Sequence, residues 1–286
     1  MTTFDFSAAA IARLAEADAR RALEEDVGTG DLTAGLVAPE RRARARVIAR
    51  EAAVLCGAPW FEAAVRACDP QARLRWQVQE GARLAAGQTV VEIDGAAHAL
   101  LTAERTARNF LQLLSGVATK TAEYAAVVAG TRASVVDTRK TIPGLRLAQK
   151  YAVRTGGGAN HRIGLHDAVL IKENHIAAAG GVKPVLAAAQ RVAAQAAFVQ
   201  IEVETLAQLE EALGAGARMV LLDNMDLATL REAVRINAGR AVLEISGGVT
   251  LEGLRALAET GVDRISIGAL TKDVKATDYS MRFTEL

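Results

Sequence analysis

Basic residues gather at three places in one stretch of this chain: Arg139-Lys140 in VVDTRKT, His161-Arg162 in GGGANHRIG, and Lys172 in AVLIKENH. Acids close the apolar runs that follow, with Glu202 and Glu204 in VQIEVET and Asp223 in VLLDNM. Arginine offers a planar fork to a carboxylate or phosphate, and lysine a compact charge. The glycines before Asn160 let backbone N–H groups approach a ligand closely. The formal net charge is +1, so these cations are not part of a generally basic surface. Each motif alone also reads as a solvated loop or strand edge. Together they describe a small site for a heavily anionic substrate, with acids placed for hydroxyl groups or a metal.

The elements that position these groups follow from periodicity. Apolar, β-branched runs occupy Ser134–Asp137, Ala168–Lys172, Phe198–Glu204, Arg218–Asp223, Ala241–Ser246 and Arg264–Gly268. From Glu202 onward their last residues recur about every twenty-two positions: Glu202, Asp223, Ser246, Gly268. Helical patterns fit between them at 182–197, 206–215, 226–238 and 251–260. Alternation of this kind predicts a parallel sheet with helices outside it. Without a Gly-x-Gly-x-x-Gly after the first strand, a dinucleotide-binding fold is disfavoured. A β/α barrel is expected, irregular or incomplete because only six strands are clear. Working groups of such barrels sit at the C-terminal ends of strands. Glu202 and Glu204 share a parity, so both are expected to face inward. The SGG at 246–248 and IGA at 267–269 suit a phosphate held on backbone N–H groups.

The preceding part is mixed. A helix is expected over 8–24, then a turn region around Gly28 and Gly30. Strands are expected at Ala45–Glu51 and Val54–Leu55, a helix at Ala58–Ala67, and an antiparallel meander after it. Thr102 is a plausible N-cap for a helix from Ala103 to Ser115. Arg105 and Arg108 share one face of that helix. The expected division is an N-terminal domain at 1–117, a barrel at 118–271, and a tail at 272–286 that returns to the N-terminal domain.

Composition excludes several classes. Hydrophobic residues make up 51% and aromatics 4%, so stacking platforms for single-stranded nucleic acid are missing. The balanced charge argues against nucleic acid and membrane surfaces as partners. No apolar run approaches the ~20 residues of a membrane span. The first residues read as an amphipathic helix rather than a signal peptide, which makes a cytoplasmic location the expectation. Cys56 and Cys68 lack metal or CxxC spacing and read as free thiols. His98 and His166 read as ordinary histidines, and His175 is open. No Ser-His-Asp order, HExxH or zinc spacing occurs.

The segments EDVGTGDLT, TAERTARNFLQLLSGVAT, DTRKTIPGLR, QKYAVRTGGGANHRIGLHDAVLIKENHI, EVET, LLDNM, SGG and VDRISIGALT carry a resemblance. The chain resembles the quinolinate phosphoribosyltransferases. The resemblance spans residues 25 to 271, and the run DTRKT-PGLR followed by GGG-NHR-GL-D is its most specific part. It implies an N-terminal α/β sandwich, a partial α/β barrel, Mg²⁺ as cofactor, and a homodimer with shared active sites, open to higher assembly. It implies transfer of phosphoribose from phosphoribosyl pyrophosphate to quinolinate, with decarboxylation, in de novo NAD biosynthesis. Arg105, Arg139, His161, Arg162 and Lys172 would surround the quinolinate carboxylates, Arg105 reaching in from the neighbouring subunit. Lys140 would contact phosphoribosyl pyrophosphate. Glu202 and Asp223 would hold ribose hydroxyls or metal. Ser246, Gly247, Gly248 and Gly268, flanked by Ile267 and Ala269, would cradle the 5′-phosphate, and Thr138 would join the substrate contacts. Lys140, Lys172, Glu202 and Asp223 are the expected catalytic residues. Some relatives carry His-Ser after GALT where this chain has Lys272-Asp273, so that histidine's role does not carry over. Two other readings are a paralogue with a different acceptor, such as the molybdenum-transport-associated relatives, and a non-catalytic binding or scaffold protein. Retention of all five basic residues disfavours the first, and the joint presence of clamps and acids disfavours the second.

Overall fold

The computed structural model describes residues 4–285. In chain order the elements begin with α1 (Ala8–Val27), β1 (Arg42–Ala49), β2 (Ala53–Val54), α2 (Ala58–Cys68), β3 (Arg73–Trp76), β4 (Arg83–Leu84), β5 (Thr89–Ala96) and α3 (Ala97–Val128). Next come β6 (Ser134–Val136), α4 (Arg146–Thr155), β7 (Val169–Ile171), α5 (Glu173–Ala179), α6 (Val182–Ala193), β8 (Val199–Val203) and α7 (Leu206–Gly214). The remainder is β9 (Met219–Asp223), α8 (Leu227–Asn237), β10 (Val242–Ser246), α9 (Leu251–Ala258), β11 (Arg264–Ser266), α10 (Ala269–Lys272) and β12 (Tyr279–Glu285). They form two compact units, one of residues 5–120, 143–156 and 273–286, the other chiefly of 121–142 and 157–272.

The N-terminal unit is built on an antiparallel sheet ordered β12-β1-β5-β3. In β1, Ala43, Ala45, Val47 and Ala49 are buried while Arg42, Arg44 and Arg46 face out, the period-two pattern of a half-buried strand. The strand starts three residues earlier than its apolar content suggested, because Arg42 and Arg44 pair with Asp94 on β5 at 2.6 and 3.6 Å. The apolar face packs with Phe61, Leu100 and Leu111 into one core. Helix α3 runs 32 residues, far beyond the stretch expected. Thr102 lies inside it and is not its cap. Its hydroxyl donates to Asp31 Oδ2 at 2.8 Å and to the His98 carbonyl at 3.1 Å. Gly116 stays bare within α3 because a Cβ there would collide with the Lys275 carbonyl of the returning C-terminal segment. That segment ends in β12, paired antiparallel with β1 through Ala49↔Tyr279 and Val47↔Met281. Residues 143–156, which the sequence reading left in the barrel, group with the N-terminal unit. Tyr151 of α4 stacks against Trp60 of α2, ring centroids 5.3 Å apart, and such contacts do not register in local periodicity.

The second unit is a six-stranded parallel sheet ordered β6-β11-β10-β9-β8-β7. The first strand of the series lies beside the last, the order of a barrel opened between β6 and β7. There, among the described residues, one parallel bridge, Val136↔Ala159, extends β6. Helices α7, α8 and α9 start at Thr205, Asp226 and Thr250, whose side chains accept from the N–H groups of Gln208, Thr229 and Gly253. These caps end each strand-to-helix loop sharply and hold the strand-end residues in place. No helix among the described residues is long and apolar enough to cross a membrane.

Candidate active site

Strand register decides which side chains share the inner face. Glu202 pairs with Leu221, Leu221 with Glu244, and Glu244 with Arg264. One step further, Asp223 pairs with Ser246. Parallel neighbours in register point the same way, so Glu202, Asp223 and Ser246 share a face at the C-terminal ends. Glu204 does not join them. Strand β8 ends at Val203, and Glu204 is exposed, its N–H donating to Gln208 Oε1 at 2.8 Å. Its parity with Glu202 has no force beyond the strand's end.

Lys172, directly after β7, reaches Glu202 with Nζ 3.0 Å from Oε2. The Glu202 side chain is 11% exposed and that of Lys172 46%. Burial raises the Glu202 carboxyl above its ordinary range, the Lys172 contact opposes this, and the charges of Asp223 and Glu173 add to the rise. The carboxylates of Glu202 and Asp223 therefore sense one another. His175 is accounted for locally: its Nδ1 accepts the Lys172 backbone N–H at 3.0 Å, closing the start of α5.

The loops after β6 bring the other cations. Asp137, fully buried at the end of β6, accepts from the His161 backbone N–H at 2.8 Å and from Asn160 Nδ2 at 2.7 Å. Asp167 accepts from the N–H groups of Ile163 and Gly164, both at 2.8 Å, and folds the following turn. Arg162 Nη1 donates to the Ala168 carbonyl at 3.4 Å. Burial lowers its affinity for its proton, the neighbouring charge of Arg139 lowers it further, and Asp167 opposes both. Arginine stays charged under such perturbation, so Arg139 and Arg162 form a half-buried pair of like charges. Lys140 lies over Gly268. A Cβ on Gly268 would sit 3.0 Å from Lys140 Cδ and 3.8 Å from its Nζ, with Thr138 Oγ1 at 3.6 Å. Thr271 fixes the same loop by donating to the Lys140 carbonyl at 2.7 Å.

The glycine turn after β10 is similarly constrained. Gly247 has φ +103°, and a Cβ there would collide with Asn224 Oδ1. Asn224 itself is left-handed at φ +51°, and its Nδ2 donates to Asp223 Oδ2 at 3.0 Å. Lys140, Thr138 and Gly268 are thus brought together, as are Gly247, Asn224 and Asp223. Ile267 donates its N–H to the Val136 carbonyl at 2.8 Å, and Ala269 opens α10. Arg105 lies on α3 in the N-terminal unit, exposed, whereas Arg108 is paired with Glu104 at 2.9 Å.

Four groups were missed from the sequence: Gln200, Glu244, Ser266 and Asp137, all buried. For Gln200, Glu244 and Ser266, polar residues inside apolar runs and in step with Glu202 and Ser246 were the available signal, whereas Asp137, one position past β6, had none. A groove of about 1520 Å³ in the N-terminal unit is lined by α1, α2 and Tyr151 and contains none of the predicted site residues.

A parallel α/β unit with clustered cations and carboxylates at its strand ends is the architecture of an enzyme acting on anionic substrates. Residues 31–115 match the N-terminal domain and residues 117–282 the C-terminal domain of quinolinate phosphoribosyl transferase. The chain belongs to this family. It is 40% identical over 260 residues to the probable carboxylating nicotinate-nucleotide pyrophosphorylase of Bacillus subtilis (strain 168), covering 91% of this chain and 90% of the relative. It is 42% identical over 272 residues to the carboxylating nicotinate-nucleotide pyrophosphorylase of Mycobacterium leprae (strain TN), covering 92% and 94%. The solved structure of the nicotinate-nucleotide pyrophosphorylase from Francisella tularensis superposes with a TM-score of 0.92 at 41% identity, covering 96% of this chain and 97% of that one.

Proposed function

We propose that this chain transfers phosphoribose from phosphoribosyl pyrophosphate to the ring nitrogen of quinolinate, releasing pyrophosphate and carbon dioxide and forming nicotinate mononucleotide for NAD biosynthesis. The observation that carries this is the match of residues 31–115 and 117–282 to the two domains of the family, and the neighbouring like charges of Arg139 and Arg162 agree with it. The pair suits a ring bearing carboxylates, and Lys172 supplies a third cation after the end of β7. Two adjacent cations held partly out of water attract a dianion more strongly than a monoanion.

The bond from ribose C1 to pyrophosphate breaks as the ring nitrogen bonds to C1. Positive charge grows on the sugar, negative charge on the leaving group. Glu202 and Asp223 would ease the first and accept from ribose hydroxyls. Lys140 would offset the second. The ring nitrogen, once bonded to C1, is cationic and stabilises the electrons left when the neighbouring carboxylate departs as carbon dioxide, and a proton from solvent then completes the C–H bond at that carbon. The turns at 246–248 and 267–269 suit the 5′-phosphate. Glu202 and Asp223 are the residues that would hold Mg²⁺. Two adjacent carboxylates fit an ion that keeps most of its waters and takes substrate phosphate oxygens, and no cluster of three or more protein ligands occurs among the described residues. When bound, the ion would supply charge neutralisation to the pyrophosphate. A homodimer follows if Arg105 serves the partner's site, and a cytoplasmic location suits these soluble substrates.

The test is turnover with carboxyl-labelled quinolinate and phosphoribosyl pyrophosphate, reading labelled carbon dioxide and pyrophosphate. Nicotinate lacks one carboxylate and loses charge-assisted contacts of about 1.5–3 kcal/mol each. Its kcat/KM should be at least about tenfold lower. Equal turnover of both acceptors, or none of quinolinate, would refute the assignment.

A further inference from the structure

The family resemblance groups His161 with the quinolinate-binding cations, but its surroundings describe another role. His161 is 8% exposed. Its Nδ1 accepts the backbone N–H of Arg162 at 2.8 Å. Its Nε2 lies 2.8 Å from Gln200 Oε1 and 3.5 Å from Glu244 Oε1. Phe198 closes the ring's flank edge-on at 5.3 Å between centroids. A backbone N–H can only donate, so Nδ1 must offer a lone pair, and the ring proton sits on Nε2. That proton faces two oxygen acceptors. Gln200 and Glu244 are fully buried. Glu244 is itself held by Arg264 Nε at 2.9 Å and by the Ser266 hydroxyl. An imidazolium would place a second N–H against that of Arg162 and break the contact.

We infer that His161 is a positioning residue for Arg162 rather than a ligand of the pyridine dicarboxylate, and that Gln200 and Glu244 hold it in the tautomer this requires. The hydrogen bond from Arg162 N–H fixes the backbone from which the guanidinium projects. The inner face of the sheet thus sets the aim of one carboxylate clamp through a chain of buried polar groups. The inference rests on the functional reading above for its substrate, but its first test does not.

Imidazole ¹⁵N NMR reads the tautomer directly, and the chain has only four histidines. His161, assigned by loss of its signal in His161→Asn, should show the Nε2–H tautomer with or without quinolinate. A Nδ1–H tautomer, or an imidazolium formed on quinolinate binding, would overturn the inference. Kinetics supply the second test. In His161→Asn the amide oxygen replaces Nδ1 as acceptor for Arg162, so kcat/KM for quinolinate should stay within about fivefold of wild type. His161→Phe and Gln200→Leu should raise the quinolinate KM about tenfold or more while the KM for phosphoribosyl pyrophosphate changes less than about twofold. Equal damage from His161→Asn and His161→Phe, both folded, would make the ring a substrate ligand and sink the proposal. Inactive wild type with the expected tautomer would count against the functional reading and not against this one.

Discussion

Replacing Gly268 by alanine tests whether Lys140 and the last glycine turn work as one device. Gly268 does not need a left-handed backbone, and the added methyl would meet Lys140 Cδ at 3.0 Å, against about 3.4 Å for an unstrained contact. The lysine must therefore give way by about 0.4 Å, and its flexible stem can do so. The fold should lose less than about 0.5 kcal/mol. Catalysis is less tolerant, because a misplacement of about 1 Å at a reacting group costs about 10²-fold. On that scale 0.4 Å corresponds to about a sixfold fall in kcat, or roughly 1 kcal/mol of transition-state stabilisation. Lys140→Ala should cost about 10²–10³, the loss of one preorganised electrostatic contact. The decisive measurement is the double-mutant cycle in steady-state turnover. If the methyl acts through Lys140, Gly268→Ala should have almost no effect when Lys140 is already alanine. A sixfold loss that persists in the Lys140→Ala background would mean the methyl disturbs the glycine turn itself, and the coupling argued from their contact would be wrong.

Gly247→Ala combines a left-handed backbone at φ +103° with a collision against Asn224 Oδ1, so denaturant unfolding should show a loss of about 2–3 kcal/mol; unchanged stability would show the turn can refold around a side chain. Glu80, half-buried and raised above its ordinary 4.5 chiefly by desolvation, accepts from the N–H groups of Gly57 and Ala58 at 2.7 and 3.1 Å. Its folded form holds a proton more tightly than the unfolded chain, so its contribution is most favourable below about pH 4.5 and declines as pH rises through the raised value. Thermal unfolding of Glu80→Gln should therefore gain on wild type as pH increases from about 4.5 towards neutrality, and a constant difference would exclude the shift. If the chain forms a dimer in which Arg105 serves the partner's site, Arg105→Ala and Lys140→Ala proteins should each be nearly inactive, and random subunit exchange should recover about one quarter of wild-type activity, since half the dimers are mixed and each has one intact site. No recovery in verified heterodimers would confine Arg105 to its own chain or to the fold.

The residues themselves disclosed the repeating strand–helix series and its strand-end chemistry, because both follow from local rules. An apolar β-branched run, a polar terminus and a capping Thr or Asp recur at a fixed spacing, as at Val203–Thr205 and Leu222–Asp226. The balanced charge made the Arg139–Lys140 and His161–Arg162 pairs conspicuous as a site. The tertiary structure alone decided four things. It placed Glu204 outside the site, since parity stops where β8 ends. It joined α4 to the N-terminal unit, through contacts such as Tyr151 on Trp60 that are remote in sequence. It extended α3 through Thr102, whose hydroxyl found Asp31 instead of a helix end. Above all, it turned Gln200 and Glu244 inward beneath His161. A parallel sheet is buried on both faces, so its strands lack the alternation that would mark an inner polar residue, and only the register between strands reveals which side chains meet.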